Sequence, residues 1–150
     1  MPVPPAHSRT LAAEDVALLL TRVDRLLARR LREVLDAHGR SADEWRVLAI
    51  LADGAGHPMT EVADLAALPP GTLTKLVDQL VDENLVYRRI DPLDRRRIRA
   101  YITPRGRATH ERVSRAVRAV WDGLAIGNEE TERLADLLRL VAGALGGPPR

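Results

Sequence analysis

Pro70-Gly71-Thr72-Leu73-Thr74-Lys75-Leu76-Val77-Asp78-Gln79-Leu80 carries apolar residues at positions 73, 76, 77 and 80, the three-four spacing of one helical face. Pro70 suits the first helical position, where a missing N–H costs nothing, and Asn84 tolerates the left-handed conformation that closes a helix. With the stripe turned inward, the opposite face presents Thr72, Thr74, Lys75, Asp78 and Gln79. Val86–Ile90 and Ile98–Ile102 follow as two short predicted strands, and in the second Ile98, Ala100 and Ile102 alternate with Arg99 and Tyr101. Asp91-Pro92-Leu93-Asp94 supplies turn chemistry between them.

Upstream, Val62, Leu65 and Ala66 predict a short helix over Thr60–Leu68, separated from the next by a tight turn at Pro69-Pro70-Gly71. Ser41-Ala42-Asp43-Glu44 has the form of a capping box, so a helix starts at Ser41 and runs through Trp45, Leu48 and Leu51 until Gly54-Ala55-Gly56 breaks it. The spacing from Val16 to Leu35 predicts a long helix over Ala12–Ala37, about 39 Å at 1.5 Å per residue, closed by Gly39. Residues 1–10, with three prolines, read as a flexible tail. Beyond Gly106, Val113, Val117, Val120, Trp121 and Leu124 mark another long helix. Asn128 is placed to cap a last one, whose stripe is Leu134, Leu137, Leu138, Val141 and Leu145.

The expected fold is therefore mostly α with a small β-wing. Two helices joined by a brief turn, the second followed at once by a basic hairpin, match a winged helix-turn-helix over residues 41–107. Residues 11–38 and 108–146 supply further helices, rich in leucine and valine that one winged helix cannot cover, and so predict a dimerisation region, the alternative being an intramolecular bundle of these three helices. A helix fits the major groove, roughly 12 Å wide, where Lys and Gln bond guanine and adenine edges and Thr serves phosphates or a thymine methyl. The hairpin tip brings Arg95, Arg96 and Arg97 to the flanking backbone, one of them at a minor groove whose negative potential rises over narrow A·T tracts.

Charge supports this reading. The chain of 150 residues carries +2 overall, yet Arg88–Arg107 holds eight arginines against Asp91 and Asp94, so that segment is +6 and the rest −4. Such a localised strip is the footprint of a phosphate-backbone binder. Absence of cysteine excludes disulfides, Cys-ligated metals and thiol chemistry. The longest apolar run, Val47–Ala52, is far short of a membrane span, and Met1-Pro-Val-Pro-Pro lacks a signal-peptide core, so a cytoplasmic protein is expected. His7, His38, His57 and His110 lack metal-ligand spacing and read as surface groups; no catalytic constellation, metal site or cofactor motif is present.

Leu73–Leu80, followed by Asn84-Leu85-Val86, resembles the recognition helix and the run into the wing of the MarR (multiple antibiotic resistance regulator) transcription factors. Asp91-Pro92-Leu93-Asp94-Arg95-Arg96 and Ile102-Thr103-Pro104-Arg105-Gly106 are similar to that family's D-x-x-D-R-R wing signature and its closing L-T-x-x-G. The resemblance covers nearly the whole chain. It implies a homodimer with interlocked terminal helices, two winged helices straddling a pseudo-palindromic operator, Arg96 as the wing-tip arginine and Asp94 as the partner that shapes the wing. Two departures stand out. Pro69-Pro70-Gly71 replaces the usual Ser/Thr cap and polar or basic opening residue, removing side chains that commonly touch DNA, and Arg99 and Ala100 replace bulkier aliphatics, which predicts a loosely packed wing.

The candidate DNA-contacting set is Gly71, Thr72, Thr74, Lys75, Gln79, Arg88, Asp94, Arg95, Arg96 and Arg97. Trp45, with His38 and Trp121, is the candidate lining of an effector cleft between the dimer helices and the winged domain, where the resemblance places one. The leading expectation is a homodimeric DNA-binding repressor, released when a small amphipathic or aromatic anion binds there. A second is a winged-helix interaction module whose basic hairpin docks an acidic partner protein, distinguished by competition with unrelated duplex DNA.

Overall fold

The computed structural model describes residues 13–147; the tail reading of residues 1–10 lies outside them, as does His7. Six helices and three strands follow in the order α1 (Ala13–Ala37), α2 (Ala42–Leu51), β1 (His57–Pro58), α3 (Met59–Ala66), α4 (Pro70–Asp82), β2 (Val86–Ile90), β3 (Ile98–Ile102), α5 (Pro104–Asp122) and α6 (Asn128–Ala144). The two predicted strands have the expected bounds. β1 was not foreseen: two residues carry no periodicity, and the strand exists only because it pairs antiparallel with β3, His57 opposite Ala100, in a sheet ordered β1-β3-β2.

Local chemistry sets most of the helix ends. The Ser41 hydroxyl accepts from the Glu44 N–H at 3.1 Å while the Glu44 carboxylate accepts from the Ser41 N–H at 2.8 Å, completing the capping box. Asn84 takes a left-handed φ of 56° just past α4, as expected. α3 ends at Ala66, two residues before the expected Leu68, because Ala67 turns left-handed, and two further ends differ from expectation. Thr103 caps α5, so this helix begins at Pro104 and Gly106 lies in its first turn; the Thr103 Oγ1 accepts from the Gly106 N–H at 2.9 Å and donates to the Asn84 carbonyl at 2.7 Å. Gly127, not Asn128, is the cap residue of α6, and Asn128 is the first residue inside it.

Val47, Leu48 and Leu51 of α2, Val62 and Ala66 of α3, Leu73, Val77 and Leu80 of α4, and Leu85, Val86, Ala100 and Ile102 form one buried core. It joins the helix-turn-helix to the inner face of the sheet. Leu35 and Val113, also buried, bring α1 and α5 together beside it. α6 buries no residue, and Leu137, Leu138, Leu140 and Val141 on it stay exposed, as do Val16, Leu19, Val23 and Leu26 on α1. Among the described residues no helix is long and apolar enough to cross a membrane.

Candidate nucleic-acid interface

α4 turns its apolar stripe into the core and leaves Gly71, Thr72, Thr74, Lys75, Asp78 and Gln79 exposed. Its first turn carries no acidic residue and no side-chain cap, and an added Cβ at Gly71 would meet nothing within 4 Å. The positive end of the helix dipole and the first backbone N–H groups of α4 are therefore at the surface with no side chain over them.

Arg88 reaches from β2 across to α4. Its Nη1 lies 2.7 Å from the Asp78 carboxylate and its Nη2 donates to the Thr74 carbonyl at 3.4 Å, so it ties the wing to the exposed helix while neutralising the carboxylate beside Lys75. Gln79 points the other way: its amide donates to Glu44 of α2 at 3.3 Å. That carboxylate is buried, and Arg40, which also binds Glu83 at 2.6 Å, lies 3.9 Å from it.

The hairpin tip is built on two aspartates. The Asp91 carboxylate accepts from the Leu93 N–H at 2.9 Å and from Arg99 at 3.1 Å. These two contacts, the backbone one foremost, hold its pKa below the ordinary 3.8, and the Asp91 carboxylate in turn raises that of Arg99. Arg99 also donates to the Gly56 carbonyl at 2.6 Å, anchoring the wing to the loop before β1. The expected loose wing is thus corrected: Ala100 is fully buried, and Arg99 bridges strand, turn and loop. Gly56, at φ +72°, lies under the Tyr101 ring where a Cβ would come within 2.1 Å. Tyr101 stacks on Tyr87 at 5.2 Å between centroids, and the Arg89 guanidinium covers Tyr87.

Asp94 accepts from the Arg96 N–H at 3.1 Å, and the Arg96 and Arg97 side chains reach its carboxylate only at 3.4 Å. The Arg96 side chain remains 92% exposed, and Arg95 and Arg97 are exposed too. The fold therefore leaves Gly71, Thr72, Thr74 and Lys75 exposed on α4 and three guanidinium groups exposed at the hydrogen-bonded hairpin turn, with Arg88 tying the wing strand to α4.

The proposed effector residues have separate surroundings. The His38 Nδ1 sits 2.9 Å from the Val34 carbonyl, the Trp121 indole donates to Thr131 of α6, and the half-buried Trp45 indole N–H has no partner among the described residues. A groove of about 260 Å³ between α1 and α5 is lined by Arg30, Val34, Val120 and Leu124 among others, but by none of these three. The described histidines lie at the surface but are partly covered. All are half-buried; His57 sits between Asp53 and Glu61, and burial pushes the His110 imidazole down as Ser114 lies 2.9 Å away. Sequence reasoning missed Arg99 and Arg40, whose partners lie on other elements; only the Arg40-to-Glu44 spacing signalled one of them.

A basic wing beside an exposed helix of a helix-turn-helix defines a winged helix-turn-helix DNA-binding transcriptional regulator. The MarR family model matches residues 38–97. A MarR-family transcriptional regulator from Silicibacter pomeroyi is 31% identical, with 89% of this chain and 92% of that one covered at a TM-score of 0.74. NadR in complex with 4-hydroxyphenylacetate is 25% identical over 95% and 98% of the two chains, at 0.77. A mutant of E. coli MarR complexed with operator DNA is 26% identical over 84% and 92%, at 0.70. The chain belongs to the MarR family.

Proposed function

We propose that this chain is a cytoplasmic, homodimeric repressor that binds a pseudo-palindromic operator and is released by a small aromatic or amphipathic anion. Residues 41–107 act as the DNA-binding unit and residues 11–38 and 108–146 as the dimerisation region. The observation that carries the reading is the exposed, uncapped face of α4 beside a turn whose arginines have only weak internal partners. The uncovered leucines of α1 and α6 support pairing of two copies, since a patch of that extent normally marks an interface. Two-fold symmetry then sets the paired α4 helices about 34 Å apart, one DNA turn. The ligand-bound state of NadR supports an aromatic acid as effector, acting by differential affinity for two dimer conformations.

Selection of bound duplexes from a random pool tests this directly, an inverted repeat being the expected product. Arg96→Ala should weaken binding to that duplex by at least about 1 kcal/mol and lower the magnitude of the slope of log affinity against log salt by about 0.9 per half-site, about 1.8 for the two wings of the dimer, with the dimer intact. Unchanged affinity at fixed salt would overturn the wing assignment.

A further inference from the structure

The wing carries an apolar tip that phosphate contact does not explain. Leu93 is 96% exposed, and Ile90 and Ile98, directly opposed across the hairpin, are 65% and 47% exposed. Strand alternation puts this pair on the face that buries Val86, Ala100 and Ile102, so the apolar surface of the sheet continues past the core into the arginine-rich turn. A single exposed leucine is ordinary, but here three exposed apolar side chains fall within residues 90–98, at the end of a hairpin where polar residues are the usual choice.

Hydrogen bonds fix the backbone of the tip and leave the Leu93 side chain in solvent. The Leu93 N–H is bound by Asp91, the Asp91 N–H donates to the Arg97 carbonyl at 2.9 Å, and the Arg97 N–H donates to the Asp94 carbonyl at 2.9 Å. Arg95, Arg96 and Arg97 follow within four residues. An apolar protein groove that swallowed Leu93 would have to desolvate these guanidinium groups as well, whereas DNA offers both surfaces at once: phosphates for the arginines, and the sugar walls and base steps of the minor groove for the leucine.

We propose that Leu93, backed by Ile90 and Ile98, is a minor-groove wedge that inserts at a base step flanking each half-site and partly unstacks it. The inference rests on the DNA-binding reading of the wing and adds a readout by deformability. Steps that unstack easily, TA and CA/TG, are favoured where Leu93 enters, although no side chain there reads a base edge.

The test uses the full chain and the duplex that it enriches from a random pool, with 2-aminopurine substituted singly across the flanking steps. Binding of the natural chain should raise the fluorescence of one such step. Leu93→Ala should abolish that rise and weaken binding about tenfold, equivalent to about 1.4 kcal/mol, without altering the salt slope, because no charge changes. Leu93→Met should retain both. Arg96→Ala should give the complementary pattern, a lower salt slope with the fluorescence rise kept. Equal affinity and fluorescence for Leu93→Ala and the natural chain would overturn the wedge while leaving the regulator reading standing, as would a natural chain that raises no signal at any step. Failure to enrich any duplex would remove the DNA-binding reading and the wedge with it. Since Leu93 is almost wholly exposed, these variants fold as the natural chain does.

Discussion

Replacing Gly106 by alanine perturbs the joint between wing and α5 at one atom. An added Cβ would lie 2.0 Å from the Leu85 carbonyl oxygen and 2.9 Å from Ile102 Cγ1. A carbon rests against a carbonyl oxygen at about 3.3 Å, so about 1.3 Å must be found, and a backbone carbonyl cannot swing aside as a long side chain can. That carbonyl accepts from the Thr103 N–H at 3.0 Å, and the Thr103 hydroxyl holds both the Gly106 N–H and the Asn84 carbonyl. Overpacking costs about 1–3 kcal/mol, and a lost or stretched hydrogen bond about 1 kcal/mol more. Gly106→Ala should therefore destabilise the fold by about 2–4 kcal/mol and lower Tm by about 5–15 °C for a chain of this size. Urea unfolding followed by circular dichroism, at one fixed protein concentration because association shifts the midpoint, measures it. A variant within about 0.5 kcal/mol of the natural chain would refute the claim that the closing glycine of the wing signature is required by close approach.

Ala67, between α3 and α4, adopts φ 53° and ψ 44°, a left-handed conformation that glycine accepts without a Cβ penalty; Ala67→Gly should stabilise by about 0.5–1 kcal/mol in the same assay, net of the entropy glycine adds to the unfolded chain. Because the Leu93 N–H and Arg99 lower the Asp91 pKa in the folded state, Asp91 contributes stability that is present above its ordinary 3.8 and is lost as pH falls through the lower folded value. The urea midpoints of the natural chain and Asp91→Asn should therefore converge on acidification below 3.8, and a gap independent of pH would exclude this origin. On the dimer reading, Leu140→Asp, at a residue 70% exposed in a single chain, should shift the sedimenting species toward monomer with helical content retained, and an unchanged species would move the interface away from α6.

Whatever depends on neighbours within a few residues was legible along the chain. The stripe of α4, the capping box at Ser41, the left-handed Asn84 and both wing strands follow from periodicity, side-chain reach and backbone sterics, all of which act over one or two turns. The wing charge was legible for the same reason, its arginines being consecutive or nearly so.

Contacts between distant segments were decided only by the tertiary fold. His57-Pro58 becomes a strand because β3 is there to pair with it, and Arg99 firms the wing because the turn at Asp91 and the loop at Gly56 converge on it from positions 8 and 43 residues away. Gln79, on the face expected to meet DNA, bonds instead to Glu44, 35 residues upstream. Periodicity assigns a side chain to a face; which charged or polar group waits opposite depends on how helices pack, and that is fixed by burial of the whole core rather than by any local run of residues.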